Sequence, residues 1–334
     1  MTTVAEIGER SLIERMMLHI TSIPDMPLPF WDDASAVSMG GEKAVVLKTD
    51  MLVWETDIPL GMSHYQAARK SVVMNFSDLG SKGVQPVAFL ASMGVPRSTP
   101  VSAVEDMARG FSDGAREYGG YMLGGDTNET CDVIIAGMAY GIAEESLLMR
   151  RGGSNPGDVL CVTGPFGDTA AAFKILLEGF DAPSDLERAL TSSVYLPEAR
   201  VTEGVTLAET GLATSCMDSS DGLAISLYDL SRSSDNGFRI TNVPISKTAE
   251  IFAEYNELDA NKLALYGGEE YELVFTIKPG KVSAIRDALD VVGCQLIEIG
   301  VVTEEETMTY LDEGEEKRIM MGGWEHFKKN NSIT

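Results

Sequence analysis

Aspartates recur in this 334-residue chain, mostly at positions where a predicted strand ends or a predicted helix begins. The segments that carry them are WDDASAV, KTDMLV, NFSDLGSKG, LGGDTNET and MDSSDGL. Element boundaries are where side chains converge on a common crevice in α/β folds. Because Mg²⁺ prefers carboxylate, hydroxyl and phosphate oxygens, the pattern favours several Mg²⁺ ions around a polyphosphate, as in phosphoryl transfer. The residues concerned are Asp32, Asp33, Thr49, Asp50, Asp78, Asp126, Asp218 and Asp221.

Each of these motifs also has a simpler structural interpretation. Asp221 follows two serines and precedes a predicted helix, which is typical of a helix N-cap. The Gly-Gly pair before Asp126 is typical of a turn, because glycine adopts positive φ at little cost. Asp50 is also consistent with ordinary loop polarity. Asp78 is harder to explain in this way, because it shares a helix with Phe76 and a buried carboxylate needs a partner.

Two further segments carry charged residues that could face a substrate. In GGEEYELVF, Glu269 and Glu270 follow two glycines and precede an apolar strand. They are either solvated carboxylates of a β-turn or a carboxylate that holds a polar or cationic substrate group. Arg150 and Arg151 either pair with surface carboxylates or face a triphosphate, which guanidinium groups bind well.

Composition and charge exclude several classes of protein. The net charge of −25 argues against a nucleic-acid binder, because phosphate backbones attract basic surfaces. There is no Walker-type GxxxxGK[ST] loop and no GxGxxG fingerprint. The four cysteines form no CxxC pair, which fits a reducing compartment. We expect a cytoplasmic protein, because the chain has neither an apolar run of about 18 residues nor the features of a signal peptide.

Strands and helices alternate along the chain, which predicts a mixed α/β (α+β) class. The polar, glycine-rich segment 149–158 is the expected boundary between an N-terminal domain, 1–145, and a C-terminal domain, 146–334. Helices are predicted near 6–20, 63–81, 101–118, 167–178, 197–210, 221–232 and 280–291. Strands are predicted near 44–50, 86–95, 121–123, 132–142, 159–164, 214–217, 271–277 and 295–302.

Taken in order, these motifs resemble the thiamine-monophosphate kinase family, within the superfamily of aminoimidazole ribonucleotide synthetase and selenophosphate synthetase. The resemblance covers about residues 6–327. It implies a two-domain synthetase-like fold whose N-terminal α/β domain dimerises through its sheet, with the site between the domains. It also implies a homodimer that uses Mg²⁺ and ATP, and in which Asp50, Asp126 and Arg151 are catalytic.

The resemblance assigns further roles residue by residue. Glu269 is expected to contact the thiamine phosphate. The ATP contacts that it implies are Gly125, Asp126, Arg151 and Ser220. The Mg²⁺ ligands that it implies are Asp33, Thr49, Asp50, Asp78, Asp126 and Asp218, with Asp221 for a further ion.

Three positions depart from the family pattern. Lys48 stands where many members have a serine that ligates a metal, so one contact is either missing or replaced by the ammonium. Asp57 stands where many members have a substrate-contacting histidine. Trp324 is the nearest candidate for an expected substrate-facing aromatic, unless it is a tryptophan of the core.

The implied reaction is direct in-line transfer of the γ-phosphoryl group of ATP to thiamine monophosphate, which gives thiamine diphosphate. A rival hypothesis is a related synthetase with another acceptor, such as a ribonucleotide. Selenophosphate synthetase would need a reactive cysteine near the N-terminus, whereas the first cysteine here is Cys131. The sequence is also compatible with a cation-loaded binding protein without turnover, or with an acidic protein adapted to salt.

Overall fold

The computed structural model describes residues 2–327 and contains two β-sheets with helices packed against them. The helices are α1 Val4–Met17, α2 Trp54–Asp57, α3 His64–Ser81, α4 Val101–Glu117, α5 Asp168–Glu178, α6 Ser184–Tyr195, α7 Val201–Thr210, α8 Leu223–Ser234, α9 Lys247–Tyr255, α10 Ala260–Tyr266 and α11 Val282–Val291. The strands are β1 Ser35–Ser38, β2 Lys43–Val53, β3 Pro86–Val95, β4 Tyr121–Glu129, β5 Ile134–Glu144, β6 Val159–Val162, β7 Ala213–Asp218, β8 Gly237–Ile240, β9 Leu273–Ile277, β10 Ile297–Thr303, β11 Met308–Asp312 and β12 Glu315–Arg318.

The first sheet has the strand order β1-β2-β5-β3-β4 and is covered on one face by α3 and α4. Side chains alternate between the two faces of each strand, so the helix-facing side of β2 buries Val46 and Leu52. On the opposite face, Met51 and Ile142 are exposed in the single chain. This second face is apolar, and its half-buried or exposed side chains include Val45, Leu47, Met51, Ala136, Met138, Tyr140 and Ile142.

Helix α3 lies at the centre of the molecule and is buried on almost every side. Its N-terminus is fixed by a capping box, in which the Ser63 hydroxyl accepts from the Gln66 amide and the Gln66 side chain accepts from the Ser63 amide. Phe76 packs edge-on against Phe89 and Tyr118. This helix therefore provides a fixed support from which polar side chains can reach the second domain.

The second sheet has the order β12-β11-β8-β10-β6-β9-β7 and is antiparallel except where β11 pairs with β8. Its core contains fully buried apolar side chains from strands and helices, such as Leu160, Leu227 and Val274. Strand β7 is at one edge of this sheet and ends at Asp218. The mixed α/β class predicted from the sequence is confirmed, and the structure shows that it comprises two sheets.

The two halves meet where α3 crosses α7 without intervening side chains. A Cβ placed on Gly204 would lie 1.9 Å from the carbonyl oxygen of Gly80. The Lys82 ammonium then donates to the carbonyl of Cys216 in β7 at 2.8 Å. The C-terminal end of α3 is thereby held against the strand that ends at Asp218.

Strand β4 and helix α1 differ from what the sequence predicts. Strand β4 runs from Tyr121 to Glu129, so Gly125 and Asp126 lie inside a strand, and the interpretation of this segment as a turn is wrong. Pairing with β3 outweighs the turn propensity of LGGDTNE, and a Cβ on Gly125 would lie 1.8 Å from the Ala91 carbonyl oxygen. In α1, predicted near 6–20 and observed at Val4–Met17, the apolar residues Ile13 and Met16 are exposed and do not pack into a core of this chain.

Candidate active site

Three aspartates from distant parts of the chain converge at the junction of the two halves. Asp33 precedes β1, Asp78 lies in the last turn of α3, and Asp218 ends β7. All three are buried, and one carboxylate oxygen from each lies within 4.8 Å of the others. We call Asp33, Asp78 and Asp218 the aspartate cluster. Clusters of this kind, in which every donor is a carboxylate oxygen, suit hard divalent cations.

The segment NFSDLGSKG supplies Asp78 of the cluster and the groups that support the other two aspartates, because its polar residues are spaced to share one side of α3. The Ser77 hydroxyl donates to Asp218 at 2.6 Å, and the Ser81 hydroxyl donates to Asp33 at 2.8 Å. The fully buried Lys82 ammonium lies 2.7 Å from Asp33. One helical segment therefore orients carboxylates that come from two other elements.

Arg151 lies in the segment between β5 and β6 and contacts Asp33 of the aspartate cluster. Its Nε donates to Asp33 Oδ1 at 2.6 Å, and its guanidinium also donates to the Trp31 carbonyl at 2.8 Å. Its Nη1 also lies 3.6 Å from Asp229 Oδ2 in α8. Because Arg151 is only partly exposed, water and salt screen its attraction to Asp33 less than they would at the surface.

Lys48 and Asp50 extend the cluster along β2. The Lys48 ammonium lies 3.1 Å from Asp50 and 3.1 Å from Asp78, so it is the partner that the buried Asp78 requires. The Asp50 amide donates to the Asn75 side chain in α3 at 3.1 Å. Strand β2 is thereby fixed to α3 at the point where its carboxylate joins the site.

Burial and the crowding of negative charges both shift the pKa values of the cluster. Burial and the neighbouring charge of Asp33 raise the pKa of Asp218 to about 6. Burial also raises the pKa of Asp78 well above its ordinary range. Although burial disfavours the ionised form of Asp33, the charges of Arg151 and Lys82 hold its pKa well below the usual value. A divalent cation would relieve this repulsion, and the oxygen donors present fit Mg²⁺.

The motifs MDSSDGL and GGEEYELVF lie side by side. The Glu269 amide donates to the Ser220 carbonyl at 2.6 Å, and the Tyr271 amide donates to the Ser219 carbonyl at 2.9 Å. Both Glu269 and Tyr271 have positive φ, at 65° and 54°, which is unusual for residues with a side chain. The strand predicted from Tyr271 therefore begins only at Leu273.

Glu269 has one partnered and one free oxygen. Its Oε1 accepts from the buried Lys70 ammonium at 2.6 Å, whereas its Oε2 is buried and has no hydrogen-bond partner among the described residues. A buried acceptor without a partner is costly, which is typical of a site that a ligand completes. The solvated-turn interpretation of Glu269 is therefore weakened.

Asp221 and Trp324 are neighbours beyond this turn. The Trp324 amide donates to the Asp221 carbonyl at 3.2 Å, and the Trp324 side chain is 40% exposed. The residue that caps α8 is Gly222, so the interpretation of Asp221 as an N-cap is wrong. Burial, followed by the nearby charge of Glu9, raises the pKa of Asp221 to about 7.

Other predicted site residues lie away from the cluster in the single chain. Asp126 is exposed on β4, an edge strand separated from β2 by β5 and β3. Three strand spacings of about 4.8 Å put it roughly 14 Å from Asp50. Gly125 lies beside Asp126 on the same strand. The Thr49 hydroxyl is on the opposite face of β2 from Asp50 and donates to the Gly137 carbonyl at 2.7 Å.

Asp57 has structural contacts that do not depend on a ligand. Its carboxylate accepts from the Val53 amide at 2.7 Å, and its carbonyl accepts from Lys70 at 3.2 Å. Ser220 is exposed, and its carbonyl accepts from Glu269. The roles of Asp57, Ser220 and Thr49 towards substrate, nucleotide or metal therefore stay predictions.

Several site residues were missed by sequence reasoning. Lys70, Asn75, Ser77, Ser81 and Lys82 all lie on α3 or at its C-terminal end, and all contact site residues. The spacing of Ser77 with Ser81, and of Asp78 with Lys82, was the available signal, because residues four apart on a helix are neighbours.

Comparison with known proteins identifies the class to which this fold and site belong. Residues 31–143 match the N-terminal domain, and residues 155–312 the C-terminal domain, of AIR synthase related proteins. A Pyrococcus horikoshii thiamine-monophosphate kinase is 36% identical over 91% of this chain and 92% of its own length. One from Nitrosopumilus maritimus is 37% identical over 85% of this chain and 89% of its own. The chain belongs to the thiamine-monophosphate kinase family, which confirms the resemblance found in the sequence.

A solved structure supports the same assignment. AaThiL complexed with AMPPCP and TMP superposes with a TM-score of 0.84 and 26% identity, covering 98% of this chain and 99% of that chain. None of the described helices is long and apolar enough to cross a membrane.

Proposed function

We propose that this protein transfers the γ-phosphoryl group of ATP to thiamine monophosphate and forms thiamine diphosphate. The observation that carries the proposal is the buried aspartate cluster with Arg151 beside it, at the junction of two domains. The family membership and the likeness to AaThiL, whose complex contains an ATP analogue and TMP, support the choice of substrates.

The cluster fits Mg²⁺ on three grounds: its donors are all oxygens, they lie within 4.8 Å of one another, and burial together with neighbouring carboxylates raises the pKa of Asp78 and Asp218. Asp33, Asp78 and Asp218 would hold the ion, with Asp50 close by. When bound, Mg²⁺ would neutralise phosphate charge. It would thereby lower the barrier to transfer that arises from repulsion between the two anionic substrates. Asp126 and Asp221 remain proposed ligands for further ions.

The protein's own side chains then need to position the two substrates and neutralise their negative charge. None of these side chains needs to react. The acceptor phosphate is already ionised at neutral pH, so the proposed transfer requires neither a strong base nor a covalent intermediate. Arg151 contributes a fixed positive charge beside the cluster, and a cavity of about 400 Å³, lined in part by Asp33 and Lys48, adjoins it. Direct in-line displacement is the mechanism that this arrangement favours.

Glu269 is proposed to bind a polar or cationic group of the substrate through its free Oε2. Lys70 holds the other oxygen, which fixes the orientation of the carboxylate. Trp324 is half-exposed beside Asp221 and offers an aromatic surface to the same side of the molecule. Asp57 stays a predicted substrate contact.

We also propose that the protein works as a homodimer in which the first sheets of two copies close a barrel. Two edges of that sheet have no strand partner in the described chain: strand β4, and residues 48–53 of β2, because β1 pairs only with residues 44–47. Pairing β4 of one copy with this part of β2 in the other would bury the apolar face and bring Asp126 to the partner's Asp50. A single chain leaves these two residues apart.

The test is ADP release by the purified protein with ATP and a panel of acceptors, with and without Mg²⁺. We expect ADP release with thiamine monophosphate and Mg²⁺, and little release when either is omitted. Release with a ribonucleotide instead would favour the related synthetase, and nucleotide binding without release under any acceptor would favour a binding protein. A cytoplasmic location stays a prediction, supported by the four unpaired cysteines.

A further inference from the structure

The Lys48 side chain lies inside the acidic site rather than at its margin. Its ammonium is 3.1 Å from Asp50 Oδ1 and 3.1 Å from Asp78 Oδ2, and the side chain is only 21% exposed. Among residues 2–327, no other lysine, arginine or histidine forms an ion pair with either of these two carboxylates. Lys48 therefore bridges strand β2 and helix α3 as a divalent ion between two carboxylates would.

The cations of the site divide it into two parts. Lys82 lies between Asp32 and Asp33, and Arg151 contacts Asp33. That end of the site is therefore compensated by two fixed positive charges. At the other end, Lys48 compensates Asp50 and Asp78.

The charge of Lys48 is matched by two carboxylates, because its ammonium lies 3.1 Å from Asp50 and 3.1 Å from Asp78. An ammonium has only N–H donors and cannot act as a metal ligand. A divalent ion between Asp50 and Asp78 would thus have to displace the Lys48 ammonium or lie close beside it.

We propose that the Lys48 ammonium is a built-in cation that takes the place of one divalent ion between Asp50 and Asp78. The chain then binds fewer divalent ions than a variant with a neutral oxygen ligand at this position. The proposal rests on the proposed function only in treating the cluster as a divalent-ion site.

The test counts bound ions in the full-length protein, using Mn²⁺ as the probe, because free Mn²⁺ is measured directly by electron paramagnetic resonance. The variants are Lys48→Ser, which supplies an oxygen, and Lys48→Arg, which keeps the charge. Lys43→Met on the same strand is the matched control, since Lys43 is exposed. Titrations are run with Mn²⁺ alone and with Mn²⁺ plus AMPPCP.

We expect Lys48→Ser to bind about one more Mn²⁺ per chain than the wild type, and the Arg and control variants to match the wild type. Equal numbers for wild type and Lys48→Ser would overturn the proposal. Absence of Mn²⁺ binding in every variant would instead refute the metal site itself, so the two failures are distinguishable.

A second measurement covers the case in which Lys48→Ser does not fold. Lys48→Met keeps most of the length of the side chain but removes the ion-pair partner of Asp50 and Asp78. In EDTA its melting temperature should fall below that of the wild type, and excess Mn²⁺ should restore most of the difference. The proposal is contradicted if Lys48→Met has the melting temperature of the wild type in EDTA. It is also contradicted if Mn²⁺ does not restore the melting temperature of this variant.

Discussion

At the scale of single residues, the site is a set of buried carboxylates that is stable only because cations and hydroxyls surround it. Ser77 supports Asp218, whereas Lys82 and Arg151 support Asp33. Replacing one of these carboxylates by an amide of the same size removes a charge but keeps the packing. Stability and activity should therefore respond differently to such a substitution.

Asp218→Asn should keep or raise the melting temperature in the absence of metal, because it relieves repulsion with Asp33. The same change should lower the rate of ADP release with thiamine monophosphate by about 100-fold or more, since the proposed Mg²⁺ site loses one of its carboxylates. Differential scanning calorimetry and the ADP assay measure the two effects.

Asp287→Asn, on the exposed face of α11, is the control and should alter neither quantity. Full turnover in Asp218→Asn would show that this carboxylate has no part in the reaction.

The pKa of Glu270 predicts a pH dependence of stability. Burial raises this pKa from 4.5 to about 8, although the Gly167 and Thr169 amides donate to the carboxylate and oppose the shift. Between these two values the folded state binds more protons than the unfolded state, so the free energy of unfolding falls as the pH rises. The contribution of one group cannot exceed about 1.4 kcal/mol per pH unit.

Glu270→Gln mimics the protonated form and lacks this dependence. Its stability relative to the wild type should therefore increase from pH 5 to pH 8, as measured by urea denaturation at each pH. A constant difference across that range would mean that Glu270 does not keep its proton in the folded protein.

The sequence predicted much of this residue set but not how it is organised. Asp33, Asp78 and Asp218 were expected to share a pocket, and they do. The supporting residues Lys70 and Lys82 were missed, because a lysine in an amphipathic helix is most often exposed and only the folded neighbours show that it is buried.

At the scale of elements, the close crossing of α3 and α7 determines how the two halves of the site align. Gly80 and Gly204 let the helix backbones touch, and Asp78 lies just before Gly80 on α3. A short connection joins α7 to β7, and β7 ends at Asp218.

Gly204→Ala should therefore force the helices apart, because the new Cβ would lie 1.9 Å from a backbone oxygen that cannot rotate away. We expect a loss of about 1–3 kcal/mol in unfolding free energy, together with lower activity. Thr202→Ala, exposed on the same helix, is the control and should change stability by less than about 0.5 kcal/mol. A Gly204→Ala variant as stable as the control would show that the crossing tolerates a side chain.

Elements with strong periodic patterns and clear ends were predicted well. Strand β3 was predicted at 86–95, and α3 at 63–81, one residue from its observed start. Helix α6 was missed although Leu186, Leu190 and Val194 are spaced for one buried face. Strand β4 was predicted too short, because glycine and asparagine suit turns and only its pairing with β3 makes the segment extended.

At the scale of the whole molecule, the proposed dimer explains features that a single chain leaves unexplained. An apolar sheet face is open, and β4 is an exposed edge strand. Exposed edges and apolar faces of this kind mark sites of association. The fold class followed from the alternation of elements, whereas the association depends on a second copy that periodicity cannot reveal.

Leu123→Asp tests the dimer, since Leu123 on β4 is 61% exposed in the single chain and its replacement should not disturb the protomer. Light scattering with size-exclusion chromatography should give twice the chain mass for the wild type and the single chain mass for the variant. Activity should fall with dissociation, because Asp126 would no longer reach the partner's site. Val291→Asp, 86% exposed on α11, should remain dimeric and active. A dimeric, fully active Leu123→Asp would contradict the proposed interface.

The most direct test of the central claim is to identify the product made by the purified protein from ATP and thiamine monophosphate. Chromatography should show thiamine diphosphate forming in equal amount to ADP, and EDTA should stop both. ADP that accumulates without thiamine diphosphate, or thiamine monophosphate that stays unchanged with Mg²⁺ present, would contradict the account.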